Sequence, residues 1–291
     1  MPLRPMPMLK KAPPGAFFIA WLLLLGDAWA LCPPAAESSL QRVTVAAVVD
    51  GDTLRLADGR RVRLVGINTP ELGHNGQPTQ ALAQQAQQQL RAALDEAGVR
   101  LQTGKDPEDR YGRVLGHLFT AAGDNITARL LQQGAGFQVA IPPNLDYLEC
   151  YRQAQDQARG RRLGVWGHPD YQPLAATDPA LSGGFAHIRG EVETVELTGK
   201  AIYVELKGAL SLKLEQRVAR YFEPQLLDRL VAVSRAAPGA TGIRVVAWGW
   251  VSDRLTWRGK TPELVRQGRR KRFQMKVTHP AMWRIDVWQR P

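Results

Sequence analysis

The chain has 291 residues, with 38 Lys and Arg against 27 Asp and Glu, so its formal net charge at pH 7 is +11. Apolar residues make up 44% of the sequence and charged residues 22%, which excludes collagen-like and intrinsically disordered chains. The length fits two domains of ordinary size, and the basic balance favours an anionic partner, either nucleic acid or an anionic surface.

Residues 1–30 have the three-part pattern of a secretory signal peptide. Arg4, Lys10 and Lys11 form a basic start, residues 16–25 are apolar, and residues 28–30 read Ala-Trp-Ala, a small-x-small cleavage pattern. The apolar run is short for a membrane span, although an uncleaved anchor is an alternative. We therefore expect a secreted or periplasmic protein with no transmembrane span after signal cleavage.

Two cysteines remain after this segment, Cys32 and Cys150. In an oxidising compartment an even pair of cysteines predicts one disulfide. The bond would close a loop of 118 residues. Loop-closure entropy for a loop of that size stabilises a fold by about 4–5 kcal/mol.

Residues 31–167 predict an α+β domain. Alternating apolar and β-branched residues indicate five strands, at 42–49, 53–56, 61–67, 99–103 and 113–120. Asp58 and Gly59 are typical of a tight hairpin turn between the second and third strands. Helical spacing indicates three helices. Thr79 caps the first, Asp124 or Asn125 caps the second, and the third covers 144–162. Five strands and three helices suit a small barrel.

Four short polar segments of this domain carry candidate functional groups. They are 50–53 (Asp-Gly-Asp-Thr), Arg63, 68–71 (Asn-Thr-Pro-Glu) and 109–113 (Asp-Arg-Tyr-Gly-Arg). Taken singly, each fits an ordinary turn, a solvated strand position or a loop start. In one small barrel they supply oxygen ligands for Ca²⁺, two guanidinium groups that grip phosphate and one carboxylate that positions or deprotonates water. Those parts suffice to hydrolyse a phosphodiester bond.

The order and spacing of these segments resemble the staphylococcal nuclease, or thermonuclease, family. The similarity covers about residues 41–167. It rests on VVDGDTLRL (48–56), RVRLVGINTPE (61–71), DRYGRVLGHLF (109–119), ITARLLQQGAG (126–136) and GRRLGVWG (160–167). The resemblance implies an OB-type five-stranded barrel with three helices. It also implies a Ca²⁺-dependent nuclease that cleaves DNA and RNA with little base preference, by water attack on phosphorus and release of the 5′ oxygen.

The resemblance implies a role for each matching side chain of the cleavage machinery. Arg63 would bind the scissile phosphate, and Glu71 would act as the general base or orient the attacking water. Arg113 would be the second phosphate clamp and a candidate acid for the departing oxygen. Tyr111, in the same segment as Arg113, is a further candidate for substrate binding.

The resemblance also implies a Ca²⁺ site. Asp52 would give a carboxylate and Thr69 its backbone carbonyl, with Asp50 supporting the ion from behind these ligands. Asn68 stands where the family's type enzyme has a carboxylate ligand, so we expect weaker Ca²⁺ binding. Two tyrosines near the nucleotide in the type enzyme are also missing, because residues 138–142 read Gln-Val-Ala-Ile-Pro.

Residues 168–184 are rich in Pro, Gly, Ser and Ala and lack a helical or strand period, which is typical of a linker. The charge is divided unequally on its two sides. Residues 31–183 contain 15 basic and 16 acidic side chains, whereas residues 184–291 contain 20 basic and 10 acidic ones. The basic excess of the mature chain therefore belongs to its C-terminal part.

Residues 185–291 predict a second, OB-like accessory domain rich in β-structure. Strands are indicated at 187–195, 201–206, 210–214, 243–251 and 283–288, with a helix over 215–233. The basic run 266–276 then falls between the fourth and fifth strands. Its candidate nucleic-acid contacts are Arg269, Arg270, Lys271 and Arg272. Attachment to an anionic envelope surface is the competing use of this charge.

Two functional hypotheses follow. The first is a secreted or periplasmic Ca²⁺-dependent endonuclease that acts on DNA and RNA. The alternative is a non-catalytic nucleic-acid-binding protein on a degenerate nuclease barrel, which Asn68 and the missing tyrosines motivate.

Overall fold

A computed structural model describes residues 30–73, 76–94, 98–235 and 242–287. The predicted signal peptide, apart from Ala30, lies outside the described residues, as does Trp288 at the end of the last predicted strand. Residues 31–291 form one compact unit. Across the described ranges, none of the helices has the length and apolar character needed to cross a membrane.

The N-terminal half of this unit is a closed barrel with a small two-stranded sheet beside it. The strands are β1 (Gln41–Val43), β2 (Val45–Val48), β3 (Thr53–Leu56), β4 (Arg61–Leu64), β5 (Ile67–Asn68), β6 (Val99–Glu108), β7 (Val114–Phe119) and β8 (Phe137–Gln138). β1 and β2 are two halves of one bent strand, because β1 pairs with β6 and β2 pairs with β3. The barrel order β1/β2–β3–β4–β7–β6, with β4 and β7 parallel, is that of an OB fold and confirms the predicted barrel.

Three helices cover this barrel, namely α1 (Ala83–Ala93), α2 (Ile126–Gln132) and α3 (Leu148–Gly160). Asn125 caps α2, since its side chain accepts a hydrogen bond from the Ala128 amide. The predicted cap of α1 is wrong, because the Thr79 hydroxyl instead accepts from the Gly73 amide in the preceding loop. The third helix also starts later than predicted, because the Asn144 side chain is bonded to the backbone of Asp106.

The predicted disulfide between Cys32 and Cys150 is present. Their Cα atoms lie 6.0 Å apart, within the usual range for this bond. The bond ties the start of the barrel region to the first turn of α3. It therefore adds a covalent tie to an N-terminal segment that is also held by hydrogen bonds between Leu31 and residues 124 and 125.

The segment 168–184 contains a 3₁₀ turn at Pro169–Tyr171 and the strand β9 (Leu174–Ala175). The Tyr171 hydroxyl donates to the Ala81 carbonyl at 2.6 Å. β9 pairs in parallel with the first strand of the C-terminal barrel. The segment is thus bonded to both halves of the unit.

The C-terminal half is a second barrel. Its elements are β10 (Gly184–Leu197), β11 (Ala201–Leu206), β12 (Leu210–Glu215), α4 (Pro224–Arg235), β13 (Ile243–Asp253), α5 (Thr261–Arg266), β14 (Phe273–Lys276) and β15 (Trp283–Val287). The order β10–β11–β12–β14–β13 closes through pairing of β13 with β10, and β12 and β14 are parallel. This repeats the order of the first barrel, so the predicted OB-like module is observed.

The fifth barrel strand is not the segment that the sequence predicts. The fifth barrel strand is β14, inside the predicted basic run, and β15 pairs with β13 outside the closed ladder. Phe273, Gln274 and Met275 are all buried, but the four cations before them mask the short apolar pattern. Arg269, Arg270, Lys271 and Arg272 still lie between the fourth and fifth strands, as expected.

The two barrels share an apolar interface. Trp248 of β13 is buried against Phe137 and Trp166 of the first barrel region. Its indole Nε1 donates to the Gln138 carbonyl at 2.7 Å, and the Thr278 hydroxyl donates to the carbonyl of residue 140 at 2.7 Å. Both bonds reach β8 or the residues just after it. Because β8 pairs with β5, the second barrel supports the strand that carries Asn68.

Candidate active site

The turn between β2 and β3 places two buried aspartates, Asp50 and Asp52, at one end of the barrel. The Asp52 amide donates to Asp50 Oδ1 at 3.1 Å. Gly51 lies between them, and a Cβ atom at this position would be 2.7 Å from the Thr69 hydroxyl. Only glycine allows the turn to pack this closely on the loop that follows β5. That packing brings the predicted metal ligands together.

Asp52 is the centre of a polar cluster. Its Oδ2 accepts from the Thr69 amide at 2.9 Å and forms an ion pair with Arg63 Nη2 at 3.0 Å. The same Nη2 donates to Asn68 Oδ1 at 3.1 Å. Arg63 Nη1 donates to two backbone carbonyls, each at 2.8 Å. Four oxygens therefore hold this guanidinium, and the structure brings Asp52, Arg63, Asn68 and Thr69 into direct contact.

The donor set of this cluster fits a hard divalent cation. It offers carboxylate, amide and carbonyl oxygens from Asp50, Asp52, Asn68 and Thr69, all of them buried. Burial raises the pKa of Asp50, and the nearby charges of Asp52 and Glu71 add to that rise. A bound cation would relieve this repulsion. In the described ranges there is no cluster of three or more His, Cys, Asp and Glu suited to a metal, and these oxygens do not suit zinc.

Glu71 is exposed in the loop after β5. Its amide donates to Gln80 Oε1 at 2.9 Å, and the Gln80 amide donates to the Glu71 carbonyl at 3.0 Å, so the loop position is fixed. Glu71 lines a cleft of about 690 Å³ together with Arg63, Asn68 and Arg113. All three side chains predicted to carry out cleavage therefore line one cleft.

Arg113 is held on the cleft wall by Asp109. Its Nε and Nη2 donate to Asp109 Oδ2 at 2.8 and 2.7 Å, so Nη1 is the guanidinium nitrogen not used by this pair. Burial alone would raise the pKa of Asp109. Hydrogen bonds from the Arg113 backbone and guanidinium and from the Tyr111 amide outweigh burial and hold that pKa below its ordinary value. The carboxylate stays charged and orients Arg113.

Tyr111 is the most exposed of the large apolar side chains lining this cleft, at 63%. The guanidinium carbons of Arg110 and Arg113 lie 4.7 and 5.5 Å from the centre of its ring. These contacts fall within the range of cation–π attraction. Tyr111 therefore stands at the cleft, as its predicted role in substrate binding requires.

A second cleft of about 850 Å³ adjoins the first, and residues from both barrels line it. The residues of the first cleft that the sequence did not indicate include two exposed apolar side chains, Ile141 and Trp250. Trp250 had a usable signal in the sequence. Val245, Ala247 and Val251 of β13 face the barrel core, so Trp248 and Trp250 face outward. Two outward-facing tryptophans on one strand indicate a surface that contacts another domain or a ligand.

The predicted basic contacts of the second barrel lie elsewhere. None of Arg269, Arg270, Lys271 and Arg272 lines either cleft. Three of them are engaged by carboxylates of their own barrel. These ion pairs are Arg270 with Glu196 at 3.7 Å, Lys271 with Glu193 at 2.6 Å and Arg272 with Asp253 at 2.7 Å.

Comparison with known proteins gives a consistent assignment. Residues 61–168 match the family described as staphylococcal nuclease homologue. The chain is 34% identical over 123 residues to a thermonuclease of Staphylococcus intermedius, covering 41% of this chain and 72% of the relative. It is 30% identical over 136 residues to a thermonuclease of Staphylococcus hyicus, covering 46% and 80%. Endonuclease YncB of Bacillus subtilis is 26% identical over 140 residues, covering 46% and 66%.

Proposed function

The chain belongs to the staphylococcal nuclease family, and we propose that it is a Ca²⁺-dependent endonuclease that hydrolyses DNA and RNA with little sequence preference. The observation that carries this proposal is the single cleft lined by Arg63, Glu71 and Arg113. Two cations and a carboxylate facing one space are the groups that an attack of water on a phosphodiester requires.

The proposed reaction assigns one task to each side chain. Glu71 takes a proton from the attacking water as oxygen bonds to phosphorus. Arg113, and Arg63 after exchanging one of its present oxygen partners, donate hydrogen bonds to the phosphate oxygens, whose negative charge grows in the transition state. The bond from phosphorus to the 5′ oxygen breaks, and the departing oxygen takes up a proton, with Arg113 as the candidate acid. The products are a 3′-phosphate and a 5′-hydroxyl.

Asp52, Asn68 and Thr69 are the residues that would hold the Ca²⁺ ion, with Asp50 behind them. When bound, a divalent cation supplies positive charge that stabilises the anionic phosphate and favours ionisation of water. Asp52 Oδ2 and Asn68 Oδ1 both contact Arg63 Nη2. Arg63 therefore pairs with the negative charge of the same carboxylate that the ion would use. Binding of phosphate by Arg63 and binding of the ion by Asp52 would then be coupled.

We also propose that the protein acts in the periplasm or outside the cell. The basic and apolar start of the sequence supports export. The disulfide between Cys32 and Cys150 supports an oxidising compartment, because such bonds are rare in the cytosol.

The test uses purified residues 31–291 with plasmid DNA and with RNA. We expect hydrolysis in Ca²⁺, none in chelator, and 3′-phosphate ends on the products. A parallel reaction in Mg²⁺ separates a requirement for Ca²⁺ from a requirement for any divalent cation. Absence of hydrolysis in every metal, by a protein whose circular dichroism shows a folded chain, would contradict the proposal.

The alternative function is binding of nucleic acid without cleavage. It is favoured by Asn68, which removes a negative charge from the metal cluster, and by the complete engagement of the two Arg63 terminal nitrogens. Retention of an oligonucleotide in Ca²⁺ with no cleavage would support it. Attachment to an anionic envelope through the second barrel stays a further proposal, tested by sedimentation with vesicles containing phosphatidylglycerol.

A further inference from the structure

Trp250 is an aromatic side chain that the second barrel contributes to the candidate active site. It lies two residues after the buried Trp248 on the outer face of β13. Its ring packs edge-on against Phe185, with ring centres 5.1 Å apart and an interplanar angle of 80°. Even so, 42% of its surface is exposed. The ring is thus held in place while it remains accessible.

The position of Trp250 relative to the two clefts is specific. Three residues line both clefts, namely Asn68, Glu71 and Trp250. The clefts therefore meet at the carboxylate proposed to activate water, and Trp250 stands at that junction. A chain passing from one cleft to the other must run beside both Glu71 and Trp250.

The wall of the first cleft has the chemistry that a nucleotide requires. Ile141 and Tyr111 line it with exposures of 49% and 63%, so together with Trp250 it holds three of the six exposed large apolar side chains in the described residues. Arg63 and Arg113 line the same cleft. Exposed apolar groups beside cations are typical of single-strand nucleic-acid sites, where bases stack on rings and phosphates meet arginines.

We propose that Trp250 stacks on a base adjacent to the scissile phosphate, so that the second barrel completes a single-stranded DNA or RNA track across the cleft. This inference rests on the proposed nuclease function. Stacking on a tryptophan suits every base, because each base has a π-face, and so agrees with little sequence preference. It also gives the second barrel a role in substrate positioning through one ring at the interface, independently of its basic loop.

The test compares Trp250→Ala with wild type on a single-stranded oligonucleotide that has one cleavable phosphodiester. Trp257→Ala is the matched control, because Trp257 is exposed to a similar extent, at 39%, and lines neither cleft. We expect Trp250→Ala to lower kcat/KM roughly 5- to 150-fold, the fold-change that corresponds to the loss of one stacked base. Trp250→Phe should recover most of this loss, and Trp257→Ala should stay within about twofold of wild type.

A second arm removes the base instead of the ring. Oligonucleotides with an abasic nucleotide on the 5′ or the 3′ side of the cleavable bond should lower the wild-type rate on one side only. Trp250→Ala should be insensitive to that same abasic nucleotide. If Trp250→Ala cleaves all substrates as wild type does, or remains as sensitive as wild type to the missing base, the inference is overturned while the nuclease function stands.

Failure of the nuclease function would be seen separately, as absence of cleavage by wild type. Stacking then has its own readout in chelator, where a single-stranded oligonucleotide should quench tryptophan fluorescence of wild type and of Trp257→Ala. Trp250→Phe should show a clearly smaller quench. Equal quenching by all three proteins would contradict the placement of a base on Trp250.

Discussion

The two barrels have the same strand order, and they use their charged side chains in opposite ways. The first region, 31–183, is close to neutral, with 15 basic and 16 acidic groups, yet it buries Asp50 and Asp52 and places Arg63 between oxygens at the cleft. The second region carries the basic excess of the chain. Its basic loop is largely paired with carboxylates of the same barrel.

This difference shows that the net charge of a region does not indicate whether it contains the candidate active site. A few charges removed from water and fixed by hydrogen bonds interact strongly with a phosphate, whereas paired surface charges are screened. The second barrel instead contributes apolar groups, because Trp248 supports β8 and Trp250 reaches the cleft.

The largest expected effect is on stability and concerns the apolar interface between the barrels. Trp248→Ala removes a buried ring and the hydrogen bond to the Gln138 carbonyl, and we expect the free energy of unfolding to fall by about 3–5 kcal/mol. Urea denaturation followed by circular dichroism measures the change. Arg217→Ala, at an exposed position of the same barrel, should change it by less than about 0.5 kcal/mol. Equal effects of the two changes would show that the interface adds no stability.

The next prediction compares an arginine of each barrel by its effect on the cleavage rate. Arg63→Ala removes a proposed donor to the phosphate, and we expect the cleavage rate to fall about 10²- to 10³-fold. Arg217→Ala, which removes an exposed arginine paired with Glu215 in the second barrel, should leave the rate within about twofold of wild type. Steady-state cleavage of a labelled oligonucleotide measures both. A comparable loss in the two variants would mean that charge in general, rather than its placement, sets the rate.

A pH-dependent effect is expected at the interface. Burial lowers the pKa of His187 to about 4, the bond to the Tyr171 carbonyl opposes this, and the charges of Arg284 and Arg159 add to it. The unfolded chain takes up this proton first, near pH 6.5, so the stability is full above pH 6.5 and is lost as pH falls toward about 4. His187→Gln should therefore lose less stability than wild type between pH 7.5 and pH 5, measured by urea denaturation.

His117 adds to the same trend, because burial lowers its pKa to about 4 as well. Part of the pH dependence should consequently survive in His187→Gln. An unchanged pH dependence in His187→Gln would refute the prediction.

The smallest expected effect concerns the proposed Ca²⁺ site. Asn68→Asp adds a carboxylate beside Asp52, and we expect the Ca²⁺ concentration for half-maximal cleavage to fall about tenfold, since ligand charge raises affinity. Isothermal titration calorimetry checks the same change without substrate. Unchanged binding in both measurements would place the ion away from Asn68.

The sequence could predict the first barrel and its cluster because those residues are close along the chain. Asp52, Arg63 and Asn68 lie on or beside consecutive elements of a hairpin, so pairing β3 with β4 is enough to bring them together. Arg113 follows from the parallel pairing of β4 with β7. Short-range patterns and the family blocks contain this information.

The contribution of the second barrel could not be predicted in the same way. Trp250 reaches the cleft because the two barrels pack through Trp248 and Thr278, contacts between elements distant in sequence. β14 was missed because four cations precede its short buried stretch. The Thr79 hydroxyl suits a helix cap by its chemistry, yet it accepts a hydrogen bond from Gly73 in the preceding loop.

The central claim, that a carboxylate and two arginines in one cleft of the first barrel hydrolyse nucleic acid, is tested most directly at Glu71. The measurement is kcat/KM of Glu71→Gln and of wild type for a single-stranded oligonucleotide in saturating Ca²⁺. Glu71 is exposed and Gln80 bonds to its backbone, so the position of the loop should be kept in the variant, and circular dichroism checks its folding. The account predicts a loss of about 10²- to 10⁴-fold, as for removal of a general base. A variant that cleaves at the wild-type rate would contradict it.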